Sequence, residues 1–337
     1  MSRRRKLLAL LILAGLALWL LLPQIEDVPK LAARLRRVAL PPLLLALAFQ
    51  APRYLAGGFL MSLCARHLPE PFSGLLGSQV TLASGAAARL LPVGGAGGVA
   101  VRYAFLKKRG MDEPGIAAYF LLQNLLGAIV IVALFLASAL YQSAHQSSTT
   151  VAAHAVLPTA MAVLAGGSAL VGLIRRPEQA LKLSHRVGTA LDALTTRLFA
   201  RTWRFAKRLP GAVQSLRQAL VLGGGTASGF LKGLGYAFWT VAGDVASLHT
   251  VAVALSVPTS LATSVVVYSL GSFAGSAAAM PAGLGVTEGA MAAVYLASGY
   301  SADSALSTVL LFRALSFWLP IPLGAIAAWR LRTRQMI

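Results

Sequence analysis

Long apolar runs, separated by short clusters of basic residues, make up most of this chain. Runs close to or above the roughly 20 residues that a helix needs to cross a bilayer lie at 7–22, 43–64, 116–141, 151–174, 227–255 and 305–329. Lipid offers the backbone no hydrogen-bond partner, so segments of this kind are helical. The pattern predicts an all-α polytopic integral membrane protein, a single transmembrane domain over residues 1–337 with about six spanning helices.

Composition and charge placement support this fold class and predict its orientation. Hydrophobic residues make up 57% of the chain and charged residues only 12%, although the formal net charge is +20. Lys and Arg cluster at the ends of apolar runs, which favours topology signals over a nucleic-acid surface. The positive-inside rule places both termini, 107–109 and 175–217 in the cytoplasm, so we expect a multi-pass protein of the bacterial inner membrane. Basic residues at 30–37 disagree with this map and suit a short helix on anionic headgroups instead.

The charge map leaves two apolar stretches that each begin and end on one side of the membrane. Residues 71–107 begin and end inside, and residues 257–301 begin and end outside. A proline and several glycines interrupt each stretch, in LPVGGAGG and in MPAGLG. Helix, break and helix is the pattern of a re-entrant hairpin, which is tolerated at membrane depth only inside protein or beside a water-filled cavity. The alternative is a set of ordinary spanning helices kinked by proline and glycine.

The two interrupted stretches also resemble each other. When Pro92 is aligned with Pro281, Gly94 aligns with Gly283, and a full span follows each hairpin. This similarity predicts an inverted repeat made of residues 42–141 and 226–329. In transporters built in this way, broken helices meet near the membrane midplane and form the substrate site. The predicted substrate-contacting residues of the two breaks are Pro92, Gly94, Gly95, Pro281, Gly283 and Gly285.

An acid and an arginine follow the second break inside apolar sequence. Glu288 falls in the first turn of the helix that restarts after the break, where the positive end of the helix dipole stabilises a carboxylate. Arg313 is the only basic residue between Lys232 and Arg330, and it needs a carboxylate, a carbonyl, water or a phosphate as its partner. We expect Glu288 to bind a cationic headgroup or to carry a proton; the alternative is a purely structural Glu288–Arg313 pair. Asp244 is a further intramembrane acid and a candidate cavity residue.

Candidate chemistry for catalysis or metal binding is sparse in the sequence. The single cysteine, Cys64, lies in an apolar run, and the five histidines show no metal-ligand spacing. The sequence contains neither paired carboxylates nor a histidine motif that would indicate a general base. We therefore expect no metal, no cofactor and no enzymatic activity.

A basic amphipathic segment at 175–217 separates the two predicted repeats. Apolar side chains occupy one helical face, and the neighbouring face carries Arg197, Arg201, Arg204 and Arg208. This is the pattern of an interfacial helix lying on an anionic leaflet. Such a basic stripe either anchors the protein or gathers an anionic substrate lipid.

The last third of the chain resembles a known family. The order Pro281, Gly283, Gly285, Glu288 and Arg313, followed by an apolar end that contains proline, resembles the C-terminal signature of the lysylphosphatidylglycerol synthase transmembrane-region family. The order of apolar runs is also similar along nearly the whole chain.

The resemblance adds one candidate residue from the first hairpin. The family's first motif has an acid and then an arginine after its Pro and Gly stretch. This chain keeps Pro92 and Arg102 but has Gly98 and Val99 where the acid is expected. Arg102 then either faces the substrate cavity or extends to the interface beside Lys107.

The resemblance also implies lipid handling. The transmembrane part of larger members is associated with moving aminoacylated phospholipid, and other members accompany isoprenoid-linked lipid pathways. The implied substrate is a membrane phospholipid or an isoprenoid-type lipid, and on this basis we favour a lipid translocator. A lipid-carrier transferase and an accessory subunit that presents lipid to a partner enzyme stay open as alternatives. Fused members carry a soluble aminoacyl-transfer domain that this sequence does not contain, so we do not expect lysyl-lipid synthesis by this chain.

The charge map predicts that both ends of the second hairpin are reached from outside the cell. The changes Ser256→Cys and Ser301→Cys, made singly in a Cys64→Ala background, should each give a protein that reacts with a membrane-impermeant thiol reagent on intact cells. The reason is that residues 233–312 contain no Lys or Arg. Labelling of the two positions from opposite sides would show a full span in place of a hairpin.

Overall fold

The computed structural model describes residues 38–66, 68, 70–90, 95–145, 177–199, 210–211, 214, 227–277 and 283–337. Within these ranges all regular structure is helical, and the predicted all-α fold is confirmed. The helices are α1 (Leu40–Ala48), α2 (Gln50–Cys64), α3 (Gly74–Leu90), α4 (Ala96–Lys108), α5 (Glu113–His145), α6 (Pro177–Phe199), α7 (Ala227–Ala254), α8 (Leu261–Ala277), α9 (Val286–Ala297), α10 (Ala302–Arg313) and α11 (Pro320–Thr333). A π-helical turn, Ala314–Trp318, joins α10 to α11.

Four helical segments of the described residues are long and apolar enough to cross a membrane. They are Leu40–Cys64, Glu113–His145, Ser228–Ala254 and Ala302–Thr333. Each coincides with an apolar run found in the sequence, and the polytopic membrane fold is confirmed. The predicted spans at 7–22 and 151–174 lie outside the described residues.

Two pairs of shorter helices form the predicted hairpins. Helices α3 and α8 have 17 residues each, and their following arms, α4 and α9, have 13 and 12. At 1.5 Å per residue the second arms reach about 20 Å, which is short of the roughly 30 Å of a hydrocarbon core. The two arms of each hairpin pack against each other. These lengths favour hairpins over kinked spanning helices.

The ends of each hairpin lie close together. At the first hairpin, the Arg109 side chain donates to the carbonyl oxygen of Glu70 at 3.5 Å. At the second, the Tyr300 hydroxyl donates to the carbonyl oxygen of Pro258 at 3.2 Å. Each hairpin therefore begins and ends at the same end of the molecule.

The two hairpins open toward opposite ends of the molecule. Lys108, the last residue of α4, donates to the carbonyl oxygen of Gln335 at 3.0 Å, so the end of α11 lies beside the ends of the first hairpin. The continuous helical run Ala302–Thr333 has 32 residues, or about 48 Å of helix. Its other end directly follows the second hairpin. This geometry fits an inverted arrangement, while the relation of the two halves as a sequence repeat stays a prediction.

Basic side chains gather at one of these two ends. Among the described residues, those at the ends of the first hairpin and of α11 are Arg66, Lys107, Lys108, Arg109, Arg330, Arg332 and Arg334. The positive-inside rule assigns such an end to the cytoplasm. That assignment and the inner-membrane location stay predictions.

Small residues let the hairpins approach the spanning helices closely. A Cβ atom added to Gly77 of α3 would lie 2.3 Å from the carbonyl oxygen of Gly58 in α2, and one added to Gly324 of α11 would lie 2.3 Å from the carbonyl oxygen of Leu82. In lipid, helix association depends on van der Waals contact of this kind. The glycines therefore fix the first hairpin between α2 and α11.

The helix contacts predict opposite outcomes for two glycine substitutions. Gly77→Ala should destabilise the protein by about 1–3 kcal/mol, because the added methyl group meets backbone rather than a movable side chain. Gly127→Ala in α5 is the matched control, since its added Cβ would meet nothing within 4 Å. It should be neutral or stabilising by up to about 1 kcal/mol through helix propensity. Equal unfolding transitions of the two variants in detergent would contradict the close-packing account.

Candidate functional site

A polar cavity of about 360 Å³ lies where the two hairpins meet the spanning helices. Its lining includes Gly95 from the break of the first hairpin and Gly283 from the break of the second. Four charged side chains also line it, Arg53, Arg89, Asp244 and Arg313, together with hydroxyl groups of the second hairpin and the side chain of Phe312. Of the predicted site residues, the structure brings Gly95, Gly283, Asp244 and Arg313 into one lining; Pro92, Gly94 and Pro281 lie outside the described residues.

A glycine in the left-handed region of φ precedes each second arm. Gly95 has φ +84° before α4, and Gly285 has φ +80° before α9. Only glycine adopts these values without steric cost, so both helix starts require it. The helix starts pair Gly95 with Gly285, which shifts the register by one residue from the pairing of Pro92 with Pro281.

The two helix starts differ at the third helical position. In α9 this position is Glu288, whose Oε2 accepts from the Gly285 N–H at 2.8 Å, as in one half of a capping box. In α4 it is Gly98, and a Cβ atom there would lie 2.7 Å from the carbonyl oxygen of Ser84. The close contact between α3 and α4 thus leaves no room for an acid in the first hairpin. The amino end of α4 consequently has no acid in its first turn.

Glu288 forms an ion pair with Arg313. Arg313 Nε lies 2.5 Å from Glu288 Oε1, and the two side chains are only 13% and 9% exposed. Since the other carboxylate oxygen caps Gly285, both oxygens are already engaged. The carboxylate is therefore held by the protein, which favours the structural alternative over a free acid that binds a cationic headgroup. Arg313 itself lines the cavity, and its Nη2 has no hydrogen-bond partner among the described residues.

A second ion pair joins α2 to α7. Arg53 Nε lies 2.8 Å from Asp244 Oδ2, and the same oxygen accepts from the Tyr268 hydroxyl at 2.9 Å. Asp244 is buried in the cavity wall, as its place in apolar sequence suggested. The sequence alone gives little reason to single out Arg53, because its long side chain could equally reach an interface. Arg53 and Arg313 each have one carboxylate partner. Asp244, the partner of Arg53, lines the cavity, and Glu288, the partner of Arg313, is not among the lining residues.

Arg89 is a functional candidate that the structure identifies and the sequence alone does not single out. It lies in the last turn of α3, directly before the first break, and its Nη2 donates to the carbonyl oxygen of Ser316 at 3.2 Å. That carbonyl has no ordinary helical donor, because the residue four positions later is Pro320, which has no N–H. The chain passes this point through a π-helical turn in which the Leu319 N–H donates to the carbonyl oxygen of Ala314. From the sequence, Pro320 indicates that the carbonyl group of Ser316 lacks its usual helical donor, but it does not indicate that Arg89 supplies one.

Phe317 brings two arginines to the same ring. The guanidinium carbon of Arg313 lies 4.3 Å from the ring centroid, and that of Arg89 lies 5.3 Å away. Arg313 is neutralised by Glu288, whereas no carboxylate in the described part of the chain lies within ion-pairing distance of Arg89. The described lining thus carries three guanidinium groups and one carboxylate, and the single further acid is the Arg313 partner Glu288.

Arg102 takes a different place from these arginines. Its Nε donates to Ser84 at 3.0 Å and its Nη1 donates to Gln123 at 3.0 Å, so it links α3, α4 and α5. It is not among the residues that line the cavity. Its predicted contact with substrate stays a prediction that the cavity geometry does not favour.

Fold and site together define a polytopic helical membrane protein with a charged cavity between two oppositely opening hairpins. The sequence of residues 6–324 matches the family described as Lysylphosphatidylglycerol synthase TM region, and the chain belongs to that family. No curated protein matches the chain. Membership of this family ties the protein to lipid handling.

The contacts of Glu288 predict that removing its charge lowers stability. A glutamine has one acceptor oxygen, so Glu288→Gln leaves either the Gly285 N–H or the Arg313 Nε facing an amide N–H₂ group. The expected loss is about 1–3 kcal/mol, the cost of a buried unsatisfied donor. Glu113→Gln is the control, because Glu113 is exposed and its contacts with Tyr103 and Lys107 are at the surface. Thermal unfolding at the same temperature for both variants would refute this role of Glu288.

Proposed function

We propose that this protein translocates a lipid by sheltering its polar headgroup in the cavity while the acyl or isoprenoid chains stay in the bilayer. The observation that carries the proposal is a cavity inside an apolar helical body, lined by four charged side chains and by glycines from the breaks of both hairpins. A charged group at the bilayer centre costs on the order of 3 kcal/mol or more. Fixed polar partners along the path reduce that cost.

The size of the cavity suits a headgroup rather than a whole lipid. The cavity volume is about 360 Å³. A phosphate with a small polar substituent fits such a volume, but two long hydrocarbon chains do not. The tails therefore remain between the helices and the surrounding lipid.

The opposite hairpins supply a means of reaching both leaflets. Each break contributes a glycine to the same lining, while the arms of each hairpin return to their own end of the molecule. In transporters with inverted repeats, alternating access arises when one repeat moves against the other around a fixed central site. We propose the same for residues 42–141 and 226–329, in the bacterial inner membrane with both termini cytoplasmic.

Transport is favoured over lipid-transfer chemistry by the state of the cavity carboxylates. A general base needs a carboxylate free to take a proton. Asp244 and Glu288 are instead ion-paired with Arg53 and Arg313. We therefore propose no enzymatic role. The basic segment 175–217, whose Arg201, Arg204 and Arg208 lie outside the described residues, would hold anionic lipid at the membrane surface. A lipid-modifying enzyme is the partner class that would supply or use the translocated lipid.

The proposal predicts that filling the cavity stops lipid exchange. Purified protein in proteoliposomes should exchange a labelled phospholipid between leaflets faster than protein-free vesicles. Ser272→Phe should reduce this rate to the protein-free baseline, because Ser272 lines the cavity. Ser228→Phe, at an exposed position in α7, is the matched control and should exchange lipid like the wild type. Size-exclusion profiles and unfolding temperatures check that both variants are folded.

Two results would reject this proposal. If the wild type exchanges phospholipids and polyprenyl phosphates no faster than empty vesicles, with and without ion gradients, translocation fails and the accessory-subunit alternative gains support. If Ser272→Phe exchanges lipid as fast as Ser228→Phe, the lipid does not pass through this cavity.

A further inference from the structure

We propose that the cavity selects a lipid headgroup with an anionic phosphate, and that Arg89 is the residue that binds the phosphate. The inference deepens the proposed function, since it takes from it only that the ligand is a lipid. A free Glu288 would have favoured a cationic headgroup. Because Glu288 is paired with Arg313, we propose an anionic headgroup instead.

The charge of the cavity favours an anionic ligand. Arg53 is paired with Asp244, and Arg313 is paired with Glu288. Arg89 is the cavity-lining cation for which the described residues supply no ion-pairing carboxylate. It contacts the same Phe317 ring as Arg313, so two like charges lie near each other in a medium where their repulsion is strong. A bound anion would neutralise the excess charge.

Arg89 is held in place by the protein and still has N–H donors without a partner among the described residues. One terminal nitrogen, Nη2, donates to the Ser316 carbonyl and lies 3.5 Å from the Tyr54 hydroxyl, and the guanidinium group lies against Phe317. The other, Nη1, is buried and has no hydrogen-bond partner among the described residues. A guanidinium has five N–H donors in a planar fork that matches two phosphate oxygens. The fixed side chain loses little further freedom when it binds such a group.

The amino end of α4 also favours an anion in the cavity. Gly95 caps this helix and lines the cavity, and Gly98 occupies the position at which α9 has its acid. The partial positive charge of a helix amino end favours an anion. At α9 the protein itself supplies that anion as Glu288. At α4 the first turn contains no acid, so a headgroup phosphate can take the corresponding role.

Hydroxyl groups complete the chemistry of a phosphate ester. Ser272, Ser276 and Thr287 of the second hairpin line the same cavity. Hydroxyl groups donate to phosphate oxygens and also accept from the hydroxyl groups of a glycerol or sugar substituent. An uncharged or anionic substituent on the phosphate therefore finds partners. A cationic one meets two carboxylates that are both ion-paired, of which Asp244 alone has an oxygen, Oδ1, without a hydrogen-bond partner among the described residues.

The test is a binding titration of the purified full chain in detergent by native mass spectrometry. The probes are dioctanoylphosphatidylglycerol, dioctanoylglycerol without phosphate, a dioctanoyl lipid with a trimethylammonium headgroup, and inorganic phosphate. The wild type should bind the phosphate lipid at least about tenfold more tightly than the other two lipids, which corresponds to one charge-assisted contact. Arg89→Gln should lose about tenfold in affinity for the phosphate lipid alone, and Arg89→Lys should recover part of it because the charge is kept.

Arg330→Gln controls for a general loss of positive charge, since Arg330 is exposed at the basic end of α11, and it should leave the affinity within about twofold of the wild type. Equal binding of the phosphate lipid and dioctanoylglycerol by the wild type would overturn the proposal without any variant. So would equal losses in Arg89→Gln and Arg330→Gln. Inorganic phosphate that binds as tightly as the phosphate lipid would support the anion site but assign it to a free anion instead of a lipid.

The outcome is separable from that of the proposed function. Selective binding of the phosphate lipid with no leaflet exchange would support the site and reject translocation. Leaflet exchange that is indifferent to phosphate and to Arg89→Gln would support translocation and reject the site.

Discussion

A backbone that stops being helical inside a bilayer must find its hydrogen-bond partners in the protein, because hydrocarbon supplies none. This constraint accounts for the placement of the charged side chains in the interior. Glu288 accepts from the Gly285 N–H at the start of α9, and Arg89 donates to the Ser316 carbonyl that Pro320 leaves without a helical donor. Glu288 and Arg89 thus also satisfy backbone groups at breaks in the helices. A broken helix and a charged site are two results of one requirement.

The same requirement makes the two hairpins unequal. In the second hairpin there is room for an acid at the start of α9, and Arg313 then follows as the partner of that acid. In the first, α3 and α4 are so close at Gly98 that no side chain fits, and the described residues supply no acid that pairs with the arginine before the break. A pair of similar hairpins therefore produces an asymmetric site with excess positive charge. The asymmetry is the basis for assigning an anionic ligand to the cavity.

Much of the fold could be predicted because membrane sequences state their spans directly. Apolar runs at 116–141 and 227–255 became α5 and α7, and Gly95 and Gly285 of the glycine-rich breaks directly precede α4 and α9. The pairing of Glu288 with Arg313 followed from the cost of leaving either charge alone in lipid. These features depend on composition and on the nearby chain, which a sequence shows.

The remaining features depend on distances that a sequence does not contain. The contact of Arg89 with Ser316 joins residues 227 positions apart, and it needs both the π-helical turn and the packing of α3 on α11. The absence of an acid at Gly98 could be seen in the sequence, but its cause, the nearby Ser84 carbonyl, could not. The role expected for Glu288 changed for a similar reason, since only the geometry shows that both carboxylate oxygens are engaged.

The central claim is that a lipid headgroup enters the cavity shared by the two hairpins. The most direct measurement uses a phosphatidylglycerol with a photoreactive group on its headgroup, reconstituted with the full chain in liposomes, followed by mapping of the cross-linked peptides. The account predicts adducts on cavity-lining residues such as Ser272, Met291 and Phe312, and their loss when unlabelled phosphatidylglycerol is added in excess. Adducts confined to exposed side chains such as Trp239 and Trp329, and unaffected by the competitor, would contradict it.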